Sequence, residues 1–475
     1  MNILFAASEV YPIAKTGGLA DVAGSLPKAM QELGADIRII MPKYTDKIAH
    51  HIKEKLVFIG SSDIYMGDRC KYCGIEEYDL EGIPLYMVDN EEYFKQGYYG
   101  YAEDGERFAF FCKAILSALP IIDFKPDVIH CNDWHTALVP VFLKAYYAHD
   151  LFYQNIKTIM TIHNLKYQGI FPKEMMEGSL NLSWDNFHSD ALEYHDQINF
   201  LKGGMLYAEA VTTVSPTYKE EIKTLYYGET LDGVLRKRQG DFYGILNGID
   251  YEVYDPMKDP PMHYSVKSVF RKQMNKKFLQ QKAGLPEVAV PIIGVVSRLV
   301  EAKGLDLITH IIEELLAHSD MQFVLLGTGD TQYEDFFRAL EQKYPSKVSS
   351  NILYDEKLAR LIYAASDLFL MPSRYEPCGL AQLISLRYGT LPVVRETGGL
   401  KDTVIPFNEA TGEGNGFSFT HYNAHDMLNV ISYALRIYHD KKMRYALIKN
   451  AMACDYSWNR TASEYLALYQ KLMSR

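Results

Sequence analysis

The chain has 475 residues, of which 48% are hydrophobic and 23% charged, with six cysteines and a formal net charge of −11. That length favours two or three domains, the acidic balance speaks against bulk nucleic acid as a partner, and cysteines this sparse do not make a disulfide scaffold. No apolar run reaches the roughly 20 residues of a membrane span. Met1 leads straight into an apolar stretch without a basic leader, so a cytoplasmic protein that does not engage a membrane is expected.

Residues 2–7 read as a buried strand. The loop Lys15-Thr16-Gly17-Gly18-Leu19-Ala20-Asp21 follows it. Two glycines, a helix N-terminus and a lysine suit an anion there, and a plain strand-to-helix turn is the alternative. A helix over about 21–33 comes next, with Gly34 as its cap, and then a strand over 36–41. Cys70 and Cys73 have zinc-ligand spacing, but no second pair follows them, so free thiols are expected and no metal site is assigned. Further strands are predicted at 128–131, 158–162 and 210–214. Asn247-Gly248-Ile249-Asp250 and the prolines at 256, 260 and 261 interrupt the periodicity and mark a domain boundary.

Beyond that boundary strands are predicted at 290–296, 322–326, 367–371 and 391–394. Helical patterns lie at about 304–317, 332–343, 356–365 and 380–388. The segment 456–475 reads as a closing helix, with Tyr465, Leu468, Tyr469 and Leu472 on one face. Strands alternating with helices imply parallel sheets with right-handed crossovers. The expected fold is therefore α/β, with two Rossmann-like, doubly wound domains facing a central cleft. The domains are expected at 1–246 and 247–455, with 456–475 packing back on the first.

In such folds ligands sit at the carboxyl ends of the strands, and polar clusters recur there. They are Asn132-Asp133-Trp134-His135, His163-Asn164 with Gln168-Gly169, Arg298 with Lys303-Gly304, Gly327-Thr328-Gly329-Asp330, Arg374 with Glu376-Pro377-Cys378-Gly379-Leu380, and Thr397-Gly398-Gly399-Leu400. Arg298 and Lys303, five apart across one turn, can both reach a diphosphate. Taken singly, each has a plainer reading: His163 as a satisfied buried histidine, Arg298 and Lys303 as solvated ion-pair partners, Glu376 as an acid favoured by a helix N-terminus. Their shared position at strand ends in both halves points to a nucleotide-sugar site.

In this order the motifs resemble those of bacterial glycogen synthases and plant starch synthases, retaining glucosyltransferases of the GT-B fold, over essentially the whole chain. The resemblance implies transfer of glucose from ADP-glucose to the non-reducing end of an α-1,4-glucan such as glycogen, without a cofactor or metal. It assigns catalysis to His163, Arg298, Lys303 and Glu376. Arg298 and Lys303 would grip the diphosphate, Glu376 would hold glucose hydroxyls, and the His163 carbonyl would face the anomeric carbon. Lys15, Gly17, Gly18, Asp21, Cys378, Gly379 and Leu380 would bind the donor, and Tyr354 would stack on adenine. Asp133, Trp134, His135, Asn164, Gln168 and Asn247 would line the sugar and glucan side. The chain departs from the family pattern at Ala381, where many relatives have threonine. Ile384 stands where related families have a second glutamate. A phosphorylase would need a lysine-bound pyridoxal phosphate, a dinucleotide oxidoreductase would need Gly-x-Gly-x-x-Gly, and a non-catalytic glucan-binding protein would have lost some of these residues. No carboxylate nucleophile stands out, so substitution on one face of the sugar is the expected route.

Overall fold

Short runs of Ile, Val, Leu and Phe, buried on both faces, build the parallel strands of this chain, as is required where helices cover both sides of a sheet. In the computed structural model, which describes residues 1–474, the chain divides into two units. One is Met1–Asn247 together with the chain from Trp458 on, and the other is Gly248–Ser457.

The first unit carries β1 (Asn2–Ala6), β2 (Asp36–Pro42), β3 (Val57–Met66), β4 (Arg69–Leu80), β5 (Ile83–Asp89), β6 (Val128–Asn132), β7 (Lys157–Ile162), β8 (Ile170–Pro172), β9 (Glu193–Tyr194), β10 (Gln197–Asn199), β11 (Ala210–Thr213) and β12 (Phe242–Gly244). Nine of these form one sheet in the order β12-β11-β7-β6-β1-β2-β5-β4-β3, and β8, β10 and β9 form a small second one. The run from β12 to β5 is parallel, whereas β3 and β4 add an antiparallel extension. That extension and the helix Asp104–Ile121 were not among the predicted elements. β3 is solvated over most of its length, so it lacks the apolar run that marks a buried strand. On β4, Cys70 is exposed and Cys73 buried. An odd separation puts two strand residues on opposite faces, so these thiols do not converge on one ion.

The first helix runs Gly18–Glu32, three residues ahead of the expected start. The closing helix Trp458–Met473 buries Tyr465, Leu468, Tyr469 and Leu472 in this unit. The Tyr469 hydroxyl lies 2.6 Å from His130 Nδ1, and His130 Nε2 lies 2.6 Å from Thr161 Oγ1.

The second unit holds β13 (Ile292–Val296), β14 (Gln322–Leu326), β15 (Val348–Asn351), β16 (Leu368–Met371), β17 (Leu391–Arg395) and β18 (Phe417–Phe419), all parallel, in the order β15-β14-β13-β16-β17-β18. The winding reverses between β13 and β16. In the first unit it reverses around β1, between β2 and β6. Such reversals open a crevice at the strands' carboxyl ends. Each unit also ties together its own two chain ends. Thr461 Oγ1 donates to the Leu246 carbonyl at 2.7 Å in the first, and the Ile249 amide donates to the Tyr456 carbonyl at 2.9 Å in the second.

Candidate active site

In the second unit the loop after β13 carries Arg298 and Lys303, and the loop after β16 carries Ser373–Leu380 residues. Because β13 and β16 flank the reversal, the two loops meet there. They enclose a cavity of about 230 Å³ lined by Arg298, Lys303, Ser373, Glu376, Gly379 and Leu380. Lys303 Nζ donates to Glu376 Oε2 at 2.7 Å, and Ser373 Oγ donates to the same oxygen at 2.9 Å. Glu376 is 7% exposed, so its charge depends on these two donors. Arg298 is exposed, with no hydrogen bond or ion pair to its guanidinium among the described residues.

Two glycines explain how the loops come so close. Gly304 has φ +72°, and a Cβ there would lie 2.1 Å from the Pro372 carbonyl oxygen, so only glycine lets the Lys303 turn rest on the β16 loop. A Cβ at Gly399 would lie 2.1 Å from the Cys378 carbonyl oxygen. The Gly399 amide donates to the carbonyls of Glu376 and Pro377 at 3.2 and 3.1 Å. The Thr397–Leu400 motif therefore braces the Glu376 loop from behind. Cys378 is 5% exposed, and its carbonyl accepts from Gln382 Nε2 at 3.0 Å.

Tyr354 does not join this group. Its ring is 78% exposed and lines a broader cavity of about 1190 Å³ with Phe278 and Arg360. It follows β15, two strand spacings of ~4.8 Å from β13.

In the first unit the glycine loop is already held by a carboxylate of the chain itself. Glu9, 4% exposed, accepts from the Thr16 amide, from Thr16 Oγ1 at 3.0 Å and from the Gly17 amide at 3.3 Å. Burial raises its pKa, against the pull of these hydrogen bonds. The Gly17 amide thus serves Glu9 within the chain, whereas the amide expected to meet the donor is that of Gly18. Gly17 is extended (φ −154°), so its backbone does not demand glycine, but both Gly17 and Gly18 have open space where a Cβ would stand. Lys15 Nζ pairs with Asp21 Oδ1 at 2.6 Å.

Asp133, Asn132 and His163 form a second constellation, at the ends of β6 and β7. Asp133 (φ +57°) accepts from the His163 amide at 2.8 Å. Burial pushes its pKa up to about 7, although the amides of His163 and Asn164 pull the other way. Burial drops the His163 imidazole to about 3, so the ring is neutral. Its Nε2 lies 2.9 Å from Asn132 Oδ1, and Asn132 Nδ2 donates to the Ala6 carbonyl at 3.0 Å. Asp133 also takes the Asn164 amide, which shares a peptide plane with the His163 carbonyl and so fixes that carbonyl's direction. Asn164 Oδ1 accepts from the Lys166 amide at 3.1 Å and shapes the turn.

Three residues expected on a glucan face are used inside the unit instead. Trp134 and His135 are 8% and 7% exposed and pack among Tyr99, Phe108, Phe171 and Phe200. Burial keeps the His135 imidazole well below its usual range. Gln168 donates to the Glu229 carbonyl at 2.8 Å and accepts from Asn199 Nδ2 at 2.6 Å, which occupies both ends of its amide. Asn247 is 7% exposed and is the last residue of the first stretch of its unit. Glu9 had no sequence signal, and Ser373, inside the strand-end cluster before Glu376, was given no role; only the folded loops bring them to the amides and the carboxylate they bond.

Two family models match the chain. Residues 2–237 match the starch synthase catalytic domain, and residues 276–453 match glycosyl transferases group 1. The chain is 52% identical to a glycogen synthase of Geobacillus thermodenitrificans, over 100% of this chain and 98% of the relative. It is 51% identical to one of Clostridium acetobutylicum, over the whole of both. Among solved structures, the catalytic domain of starch synthase IV from Arabidopsis thaliana, bound to ADP and acarbose, superposes with a TM-score of 0.92 at 34% identity, covering 100% of this chain and 99% of that one. A sucrose-phosphate synthase from Thermosynechococcus elongatus shares the fold at a TM-score of 0.63 and 18% identity. No helix among the described residues is long and apolar enough to cross a membrane.

Proposed function

This chain belongs to the glycogen synthase family and is a glycosyltransferase, and on that premise we propose that it moves glucose from ADP-glucose to the non-reducing end of an α-1,4-glucan with retention of configuration. The observation that carries this reading is the cavity where Arg298, Lys303 and Glu376 meet at the reversal between β13 and β16. Departure of ADP leaves charge on the β-phosphate. Fixed cations aimed at that position stabilise the transition state more than the ground state. Arg298, without a hydrogen-bond or ion-pair partner among the described residues, can take phosphate oxygens bidentately. Lys303 reaches the same space while Glu376 holds hydroxyls of the glucose.

Bond changes on one face of the sugar complete the transfer. The bond from C1 to the phosphate oxygen breaks, the acceptor O4 bonds to C1, and the acceptor's proton passes to the departing phosphate oxygen. The pinned His163 carbonyl would face the positive charge that develops at C1. A neutral imidazole suits this role, because an imidazolium beside an oxocarbenium-like centre would oppose it.

Incorporation of labelled glucose into glycogen, from ADP-glucose and UDP-glucose in parallel, tests the donor. ADP-glucose is expected to be used at least about tenfold faster, and equal rates would overturn that choice. Glu376→Ala and Asp133→Ala assayed with azide test the route: a β-glucosyl azide from either would mean a carboxylate nucleophile.

A further inference from the structure

At the opposite, amino-terminal end of the second unit's sheet lies a cavity of about 530 Å³, within the size range of small-molecule sites. It opens where Asp367 enters β16 and Gly389 leads to β17, so the sheet separates it from the Arg298–Lys303–Glu376 cavity. Its wall is cationic in a chain whose net charge is −11. Lys267, Lys272, Lys441 and Arg444 line it, with His439 beside them.

The carboxylate in the wall is Asp367, and its charge is already taken. It pairs with Lys276 at 2.7 Å and accepts from the Ile292 amide at 2.9 Å. Asp440, next to the wall, is likewise engaged as a helix cap by the amides of Lys442 and Met443, both at 2.9 Å. Lys267 and Lys441 are exposed and make no ion pair among the described residues. Arg444 rests on the Tyr438 ring, 4.4 Å from its centroid, with no carboxylate on its guanidinium among the described residues.

At the base, Lys272 is 5% exposed and donates to the Ala364 carbonyl at 2.7 Å and to Thr390 Oγ1 at 2.6 Å. Burial lowers its pKa to about 7, which an anion nearby would reverse. The apolar part of the opening is aromatic: Phe270 is 70% exposed and Tyr445 48%. Uncompensated cations in a concave wall concentrate anions. A guanidinium with two lysines matches a phosphate monoester, and exposed rings at the mouth match a flat body attached to it.

We propose that this cavity is a binding site for a mononucleotide, its phosphate held by Lys267, Lys441 and Arg444 and its base against Phe270 and Tyr445. The site is separate from the transfer reaction and uses none of its residues.

Equilibrium dialysis of the full chain with radiolabelled AMP tests it, in wild type, Lys441→Glu/Arg444→Glu, Phe270→Ser and Lys303→Ala. The charge-reversed pair is expected to lose affinity by at least about tenfold, with glucosyl transfer at saturating donor unchanged. Lys303→Ala should keep AMP bound. Phe270→Ser changes an exposed residue, so folding is not at stake. It should weaken AMP without weakening inorganic phosphate or glucose 6-phosphate as competitors. Loss of AMP in Lys303→Ala alone would put it in the transfer cavity and overturn the site. Unchanged AMP affinity in the charge-reversed pair would overturn it too. Inorganic phosphate or glucose 6-phosphate competing as well as AMP, or unchanged affinity in Phe270→Ser, would overturn the nucleotide as ligand.

Discussion

Replacing Lys303 by methionine keeps the side chain's length and removes its charge, and two separable losses follow. The first is stability. Glu376 is 7% exposed and loses the donor 2.7 Å away, keeping Ser373 Oγ at 2.9 Å. Stranding a fully buried carboxylate costs about 3–5 kcal/mol. Lys303 is 24% exposed on its side chain and one hydrogen bond remains, so the loss should be nearer 1.5–3 kcal/mol, that of a charged hydrogen bond. The second is catalytic. If Lys303 meets the charge leaving on the phosphate, its removal should lower kcat by about 10²–10³, or 2.7–4 kcal/mol, as for loss of one preorganised donor. The double variant Lys303→Met/Glu376→Gln isolates the stability loss, because no charge is left stranded, and its urea unfolding should return to within about 1 kcal/mol of wild type. The catalytic loss is read in Lys303→Met alone, under conditions where it is fully folded. A kcat there that falls less than about tenfold would reduce the lysine to a structural partner of Glu376.

Gly304→Ala puts a Cβ 2.1 Å from the Pro372 carbonyl at φ +72°. Urea unfolding should report a loss of about 2–4 kcal/mol from strain and overpacking together, with transfer activity falling as Lys303 is displaced. Asp133 holds its proton up to about pH 7 when folded, against an ordinary 3.8. The folded state therefore binds the extra proton between those values, and stability rises as pH falls through about 7. Asp133→Asn keeps an acceptor for the His163 amide, so it should be the more stable form at pH 8 and lose that advantage by pH 5. Parallel unfolding curves across that range would refute the burial of charge there. His130 and His163 run the other way: their pKa values of about 3 mean that only the unfolded chain takes up protons below about 6.5. Stability from these two is lost as pH falls from there, and His130→Gln should reduce that slope. Tyr469→Phe strands His130 Nδ1 in a fully buried site and should cost about 1–3 kcal/mol in thermal or urea unfolding.

Nine of the parallel strands were legible because each is a short apolar run ended by a glycine or polar turn, whereas the short strands β12, β15 and β18 were not. β14 runs Gln322–Leu326 as expected, and the helix Glu356–Ala365 has its predicted limits. The hairpin β3–β4 was not, since a sheet with one face in water spreads its apolar residues thinly, and the buried run of β5 was passed over with it. At the site, Arg298, Lys303 and Glu376 could be picked out because each follows a strand that flanks the reversal. Spacing alone did not reveal that Trp134, His135 and Gln168 turn inward. Residue type signals the chemistry a side chain can do, whereas its direction is set by packing partners such as Phe108 and Asn199, which are distant in sequence. Glu9 shows the converse: an ordinary acid acquires its role only when the chain folds Thr16 and Gly17 over it.

The closing helix Trp458–Met473 has a consequence for synthesis. The sheet it seals is made first, yet residues 248–457 leave the ribosome before the seal exists. At ~5–20 residues per second, the His130–Thr161 pair waits on the order of 15–60 s for Tyr469. During that interval the nascent first unit exposes the apolar seam that Tyr465, Leu468, Tyr469 and Leu472 later cover. A chain that stopped short of Trp458 would have both sheets made but one permanently open, a natural target for chaperones and proteases.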